Sequence, residues 1–195
     1  MKAWQLITHT PSSPTYRRLK SGISDSEKEL YGSFRPTDQV TLAWERTREI
    51  AAILSAEVIV FQCPASFLPH RENLRNLNTF FQGIDREGRM LAWEPRGAAW
   101  SDTLIRDLCA GNDLIHCVDP FDRRSVYGDS LYWRLHGRGG YRYRYTDGDL
   151  AEIENELKAL PKPGYVMFNN MSSREDALRF LRRVTDPSSP SVGPP

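Results

Sequence analysis

Five short apolar runs punctuate this chain, and each stops on a polar or charged residue. Val58-Ile59-Val60-Phe61 leads into Gln62, Met90-Leu91-Ala92-Trp93 into Glu94, and Leu114-Ile115-His116-Cys117-Val118 into Asp119. Leu131-Tyr132-Trp133 leads into Arg134 and His136, and Tyr165-Val166-Met167-Phe168 into Asn169 and Asn170. Apolar runs this short, with no apolar–polar alternation, are strands buried on both faces, the habit of a parallel sheet covered by helices. Ligands in such folds bind outside the carboxyl ends of the strands. The pattern predicts that Gln62, Glu94, Asp119, Arg134, His136 and Asn169 gather at one face.

Helical spacing fills the gaps between the runs. Val40 to Ser55 carries Val40, Ala43, Trp44, Ile50, Ala51 and Leu54 at helical intervals behind Thr37 or Asp38 as N-cap, which predicts a helix packing that stripe on the first strand. Asn73 to Phe81 repeats the pattern, and Ser101-Asp102 caps a helix through Leu104, Ile105 and Leu108 that closes at Gly111. Asp147 or Asp149 caps Leu150 to Leu160, and Ser172 or Ser173 starts a last helix through Ala177, Leu178, Leu181 and Val184. Thr10 to Asp38, rich in Ser, Pro, Gly and charge, reads as a long excursion with a short helix near Ser26 to Tyr31.

The 195 residues suffice for one sizeable core, so a single domain over 1–185 is expected, followed by a Pro/Ser-rich tail over 186–195 too poor in apolar surface to order itself. A formal net charge of +1 places no demand for nucleic acid or a membrane surface on the chain as a whole. Cys63, Cys109 and Cys117 form no CxxC pair and leave an odd count, which points to a reducing, cytoplasmic setting. Neither an apolar stretch of about 18 residues nor a signal-peptide core is visible. No glycine-rich phosphate loop follows a strand, because Gly137-Arg138-Gly139-Gly140 lacks both the GxGxxG spacing and an immediate helix, so a dinucleotide site is not expected. The residues name no cofactor.

Four segments occur in order: Val60-Phe61-Gln62-Cys63-Pro64-Ala65-Ser66-Phe67, Leu91-Ala92-Trp93-Glu94-Pro95-Arg96, Tyr132-Trp133-Arg134-Leu135-His136-Gly137-Arg138 and Met167-Phe168-Asn169-Asn170. Together they closely resemble the DUF72 (YecE-like) family, and the opening Lys2 to His9 with Tyr16-Arg17-Arg18-Leu19 resembles a branch of it. The resemblance implies an α/β fold of TIM-type (β/α)8 barrel kind, without an assigned activity. In the family a GTSGW-type strand and a second strand with a VEIN-like acid come first, and Lys2 corresponds to the end of the third. The resemblance therefore implies an N-terminally truncated barrel, with about five full parallel strands plus the end of a sixth. It also implies a possible partner supplying the missing strands.

Period-two geometry puts Glu94 with Arg96, and Arg134 with His136, on one face at the strand ends. A carboxylate, an imidazole and two guanidinium groups divide work as acid/base, proton shuttle and anion clamps, or else form structural ion pairs. Asp119 is a second carboxylate or a turn former before Pro120, and Asn169 suits a ligand hydroxyl while Asn170 suits the turn. Lys2 is a candidate base or anion ligand. His9, in the long first loop, reads as a surface histidine, His116 as a satisfied core histidine, and Cys63 as apolar rather than nucleophilic. Arg138, Tyr141, Arg142, Tyr143, Arg144 and Tyr145 alternate basic and aromatic character, which suits either a nucleic-acid grip or a rim whose arginines face water.

The leading expectation is an enzyme-type site for a small anionic or polyhydroxylated ligand, with Glu94, His136 and Asp119 catalytic and Lys2, Gln62, Arg96, Arg134 and Asn169 binding. One alternative is a metal-dependent phosphodiester hydrolase in which Glu94, Asp119 and His136 hold the ion. The other is an inactive fragment or the downstream half of a split barrel.

Overall fold

The structure is a computed structural model describing residues 1–18, 22–160 and 162–185; the expected tail lies outside the described residues. The chain divides into two compact units, one of Met1–Cys117 with Val126–Gly128 and one of Val118–Ser125 with Asp129 onward. The five apolar runs all become strands, each flanked by helices in an α/β fold.

In the first unit β1 (Val58–Gln62) pairs in parallel with β2 (Met90–Glu94), and Ala92 and Trp93 of β2 stand opposite Ile115 and His116 of β3 (Ile115–Val118). The opening residues add one rung: Lys2 bridges Val60 in the parallel sense, with Ala3 N–H donating to Val60 O at 2.9 Å and Val60 N–H to Met1 O at 2.8 Å. A short helix α1 (Gln5–Thr8) follows, and the excursion behind it carries two 3₁₀ turns, Pro14–Arg18 and Asp25–Leu30.

Helix α2 (Asp38–Ile53) is capped by Thr37, whose hydroxyl accepts Val40 N–H, and α3 (Arg71–Gly83) and α4 (Asp102–Gly111) complete the unit. The buried arc of α2 is Val40, Ala43, Trp44, Thr47 and Ala51. Ile50 is 51% exposed and Leu54 is exposed too, which corrects the expected stripe: Ile50 lies at the margin of that arc, and Leu54 is the C-cap beyond the last turn. Thr47 takes the inward place because its hydroxyl donates to Ala43 O at 2.7 Å and accepts Trp4 N–H at 3.3 Å, so no polar atom is stranded. Aromatic rings fill the core: Phe34 contacts Phe61, Phe67, Phe80 and Phe81, and Trp100 stands edge-on to Trp93 while its indole N–H reaches Phe67 O at 3.0 Å.

In the second unit β4 (Leu131–Leu135) and β5 (Gly164–Phe168) pair in parallel from Leu131–Gly164 to Leu135–Phe168. Leu131, Trp133 and Leu135 turn toward α5 (Asp147–Ala159) and α6 (Ser173–Thr185), packing with Leu150, Ile153 and Phe180. Period two sends Tyr132, Arg134 and His136 to the opposite face. The α5 cap is Thr146, in a box with Asp149, rather than either aspartate. The apolar phase of α6 also departs from expectation. Phe180 and Asp176 are buried, while Leu178 and Val184 are exposed and Leu181 is 54% exposed. A fully buried Asp176 is tolerable because Asn170 Nδ2 at 2.7 Å, Arg179 Nη1 at 3.0 Å and Tyr145 N–H at 3.3 Å all donate to it.

Candidate functional site

The register of β1 and β2 sets Gln62 beside Glu94 at the ends of the two strands. Glu94, 5% exposed, is held by Arg96, whose Nε and Nη2 reach the same oxygen, Oε1, at 2.8 and 2.7 Å. Its other oxygen, Oε2, lies 3.8 Å from Cys117 Sγ. The two-residue spacing expected to place Glu94 and Arg96 together does so. Lys2 stands beside Val60, two residues before Gln62.

Cys63 follows Gln62 but points into the core, where Trp93 Nε1–H donates to its sulfur at 3.3 Å. Burial pushes its thiol well above the ordinary range, which fits the apolar reading and not a nucleophile. His116 is a satisfied core histidine, its Nδ1 accepting Val126 N–H at 3.2 Å.

His9 overturns its expectation as a surface residue, being only 4% exposed at the C-cap of α1. Its backbone N–H donates to Gln5 O at 2.8 Å, its carbonyl accepts Tyr16 OH at 2.8 Å, and its ring Nδ1 meets Thr8 Oγ1 at 2.7 Å. Gly32, at φ +77°, runs so close that a Cβ there would fall 2.1 Å from the His9 carbonyl oxygen. Desolvation lowers the His9 pKa to about 4, with the charges of Lys2 and then Arg96 acting in the same direction. Sequence reasoning missed this residue because burial of a loop side chain leaves no periodic signal. The only hint was a histidine two residues after an apolar pair, Leu6-Ile7.

The second unit brings Asp119, His136 and Asn169 together. Asp119 Oδ2 accepts His136 N–H at 2.7 Å and Oδ1 accepts Phe121 N–H at 3.1 Å, while Asn169 Nδ2 lies 3.0 Å from His136 Nδ1. Desolvation raises the Asp119 pKa, the two backbone N–H groups only partly opposing it. Asp119 is thus both a turn former and a carboxyl group poised above its ordinary range. Asn170 serves the turn, donating to Tyr143 O and to Asp176, each at 2.7 Å. Tyr145 was missed as a site neighbour: its buried hydroxyl accepts Gly137 N–H at 2.7 Å, just beyond His136. Arg134 stands opposite Met167 on the face away from the unit's core.

The basic and aromatic loop is largely tied down. Arg138 lies 4.0 Å over the Phe121 ring and pairs with Asp149 and Glu152, Arg144 pairs with Glu175, and Tyr143 OH donates to Asp149. Tyr141 is exposed. Among the described residues no group of three or more His, Cys, Asp and Glu side chains is arranged to hold a metal ion. Among them, too, no helix is long and apolar enough to cross a membrane.

The sequence profile of DUF72, a protein family of unknown function, matches residues 1–191. A comparison with curated proteins finds no match. Among solved structures, the chain is similar to a DUF72 family protein of Thermotoga maritima, at 21% identity and a TM-score of 0.57. That match takes in 73% of this chain and spans 64% of the Thermotoga chain's length. Two structures of a DUF72 family protein of Enterococcus faecalis match at 18% and 17% identity, with TM-scores of 0.64 and 0.62. They take in 100% and 95% of this chain and 76% and 77% of theirs. At these identities the likeness concerns the fold.

Proposed function

Since the chain belongs to the DUF72 family, we propose that it is a partial TIM-type (β/α)8 barrel whose strand ends carry an enzyme-type site for a small anionic or polyhydroxylated ligand. The observation that carries this reading is the pairing at the ends of β1 and β2, where the register sets Gln62 beside a buried Glu94 whose Oε1 meets both Nε and Nη2 of Arg96. A guanidinium at a strand end suits an anion, and Gln62 adds an amide able to donate to or accept from a hydroxyl.

Glu94 fills the acid/base role, with Arg96 fixing its Oε1. In the second unit, Asp119 and His136 form a further acid/base group in its own right. Its carboxyl group is held by backbone N–H donors and its imidazole is oriented by Asn169. Three free, buried cysteines support a cytoplasmic setting.

The test is a thermal-shift screen of the purified chain against sugar phosphates, hydroxy-carboxylates and polyols, followed by calorimetry on hits. Glu94→Gln and Arg96→Gln should each weaken a hit by about tenfold or more, the scale of a lost charge-assisted contact. A ligand whose affinity survives both substitutions would remove the assignment.

A further inference from the structure

A cavity of about 320 Å³ lies in the first unit between α2 and α3, and none of the strand-end candidates lines it. Its floor is apolar, made of the buried side chains of Phe34, Val40, Trp44 and Phe80, with the Trp44 and Phe80 rings edge-on at 6.1 Å. Helical spacing brings Thr41, Trp44, Glu45 and Arg48 to one side of α2, where all four face it. The cavity differs from a packing gap in three ways. Trp44 is 4% exposed, yet its indole N–H has no hydrogen-bond partner among the described residues, whereas a buried tryptophan ordinarily finds one. Gly83, in the last turn of α3, lines the opposite wall without a positive φ, and a Cβ there would meet nothing within 4 Å. Neither backbone nor neighbours call for glycine, which weakens a helix relative to alanine, so its effect is to keep the space open. The third difference is charge. Arg35 at the rim pairs with Glu29 at 2.5 Å, and Arg48 lies 3.2 Å from Asp85 and 3.3 Å from Glu87, which Arg89 also meets. Glu45 has no ion-pair partner among the described residues, its neighbour Arg46 being paired with Glu49 at 2.7 Å. The rim therefore carries one carboxylate more than its arginines match.

We infer that this cavity binds a small organic ammonium ion that carries a ring and a hydroxyl oxygen. The ring lies on the aromatic floor, the ammonium faces Glu45, and the oxygen accepts the Trp44 N–H. Aromatic faces add to the attraction, since their negative quadrupole favours a cation over an anion of the same shape. The volume stands at the small end of ligand pockets, room for one ring and a short chain. This site is separate from the one at the strand ends, and neither depends on the other.

Tyramine is the probe, compared with 4-ethylphenol, which lacks the ammonium, and with 4-hydroxyphenylpropionate, which carries a carboxylate in its place. Calorimetry of the full chain at neutral pH and low salt should show tyramine binding about tenfold more tightly than the anion, the ratio set by one charge contact at a partly solvated rim. Glu45→Gln should weaken tyramine about fivefold and leave 4-ethylphenol unchanged, and Trp44→Phe, which keeps a ring, should weaken both phenols severalfold through the lost donor. Gly83→Leu fills the cavity from an exposed position and should abolish binding of all three while the melting temperature holds or rises. Should that variant fail to fold, Glu45→Gln decides alone. The inference fails if no probe binds at millimolar concentration, if tyramine shows no preference over the anion, if Glu45→Gln leaves that preference intact, or if binding survives in folded Gly83→Leu.

Discussion

Arg96 spends two nitrogens on one oxygen of Glu94, Nε at 2.8 Å and Nη2 at 2.7 Å, and leaves Oε2 beside the Cys117 sulfur. The carboxylate is thereby fixed in rotation with one oxygen uncommitted to the guanidinium, an arrangement suited to orienting a reacting group as well as to holding a fold.

Removing one partner of this pair strands the other. Arg96→Ala leaves Glu94 buried without its guanidinium and should cost about 2 kcal/mol, below the range for fully buried pairs because the arginine is partly solvated. The double variant Glu94→Gln, Arg96→Ala should recover part of that loss in urea denaturation. A double variant no better than the single one would mean the pair carries no coupling energy.

The pH dependence of stability has a defined sign at His9. Its folded pKa of about 4 lies below the ordinary histidine value of 6.5, so the unfolded chain binds the proton more tightly. The contribution is complete above pH 6.5 and is lost as pH falls toward 4, by about 3 kcal/mol at most. His9→Gln should flatten the fall in unfolding free energy over that window. An unchanged profile would show that the ring titrates normally.

Asp176 gathers donors from Tyr145, Asn170 and Arg179. Asp176→Ala should cost about 3 kcal/mol through the donors it leaves unpaired, and hydrogen exchange at the Tyr145 amide should quicken. Asp176→Asn should cost less, since one acceptor oxygen remains.

Cys63, Cys109 and Cys117 are all buried, and burial pushes the Cys109 thiol up to about 12 and Cys63 higher. An aromatic disulfide reagent should label none of the three in the native protein within minutes and all three in guanidinium chloride. Rapid native labelling of Cys63 would revive its nucleophile reading.

The strands were legible because a strand buried on both faces writes itself as a continuous apolar run, and Val58 to Phe61 or Met90 to Trp93 admits little else. Helix starts were plain at Thr37 and Ser101, where a side chain does the capping, but not at Thr146, which caps α5 in place of the expected aspartates. Helix faces were less so. Thr47 and Asp176 take buried places because each satisfies its polar atoms locally, and hydropathy cannot register that. The pairing of Glu94 with Arg96 followed from period two. His9 and Tyr145 did not, for their burial depends on where an irregular segment is pinned by bonds such as Tyr16 OH to His9 O. His9 became visible only when Lys2 was placed on the flank of β1.

The close approach of Gly32 to His9 makes that position intolerant in a particular way. Every missense change of a glycine codon adds a β-carbon, and here even the smallest would land on the His9 carbonyl at φ +77°. No conservative replacement exists. Inherited variation at residue 32 would therefore act on the histidine's placement while leaving every charged group of the site intact, a loss that a survey of site residues alone would pass over.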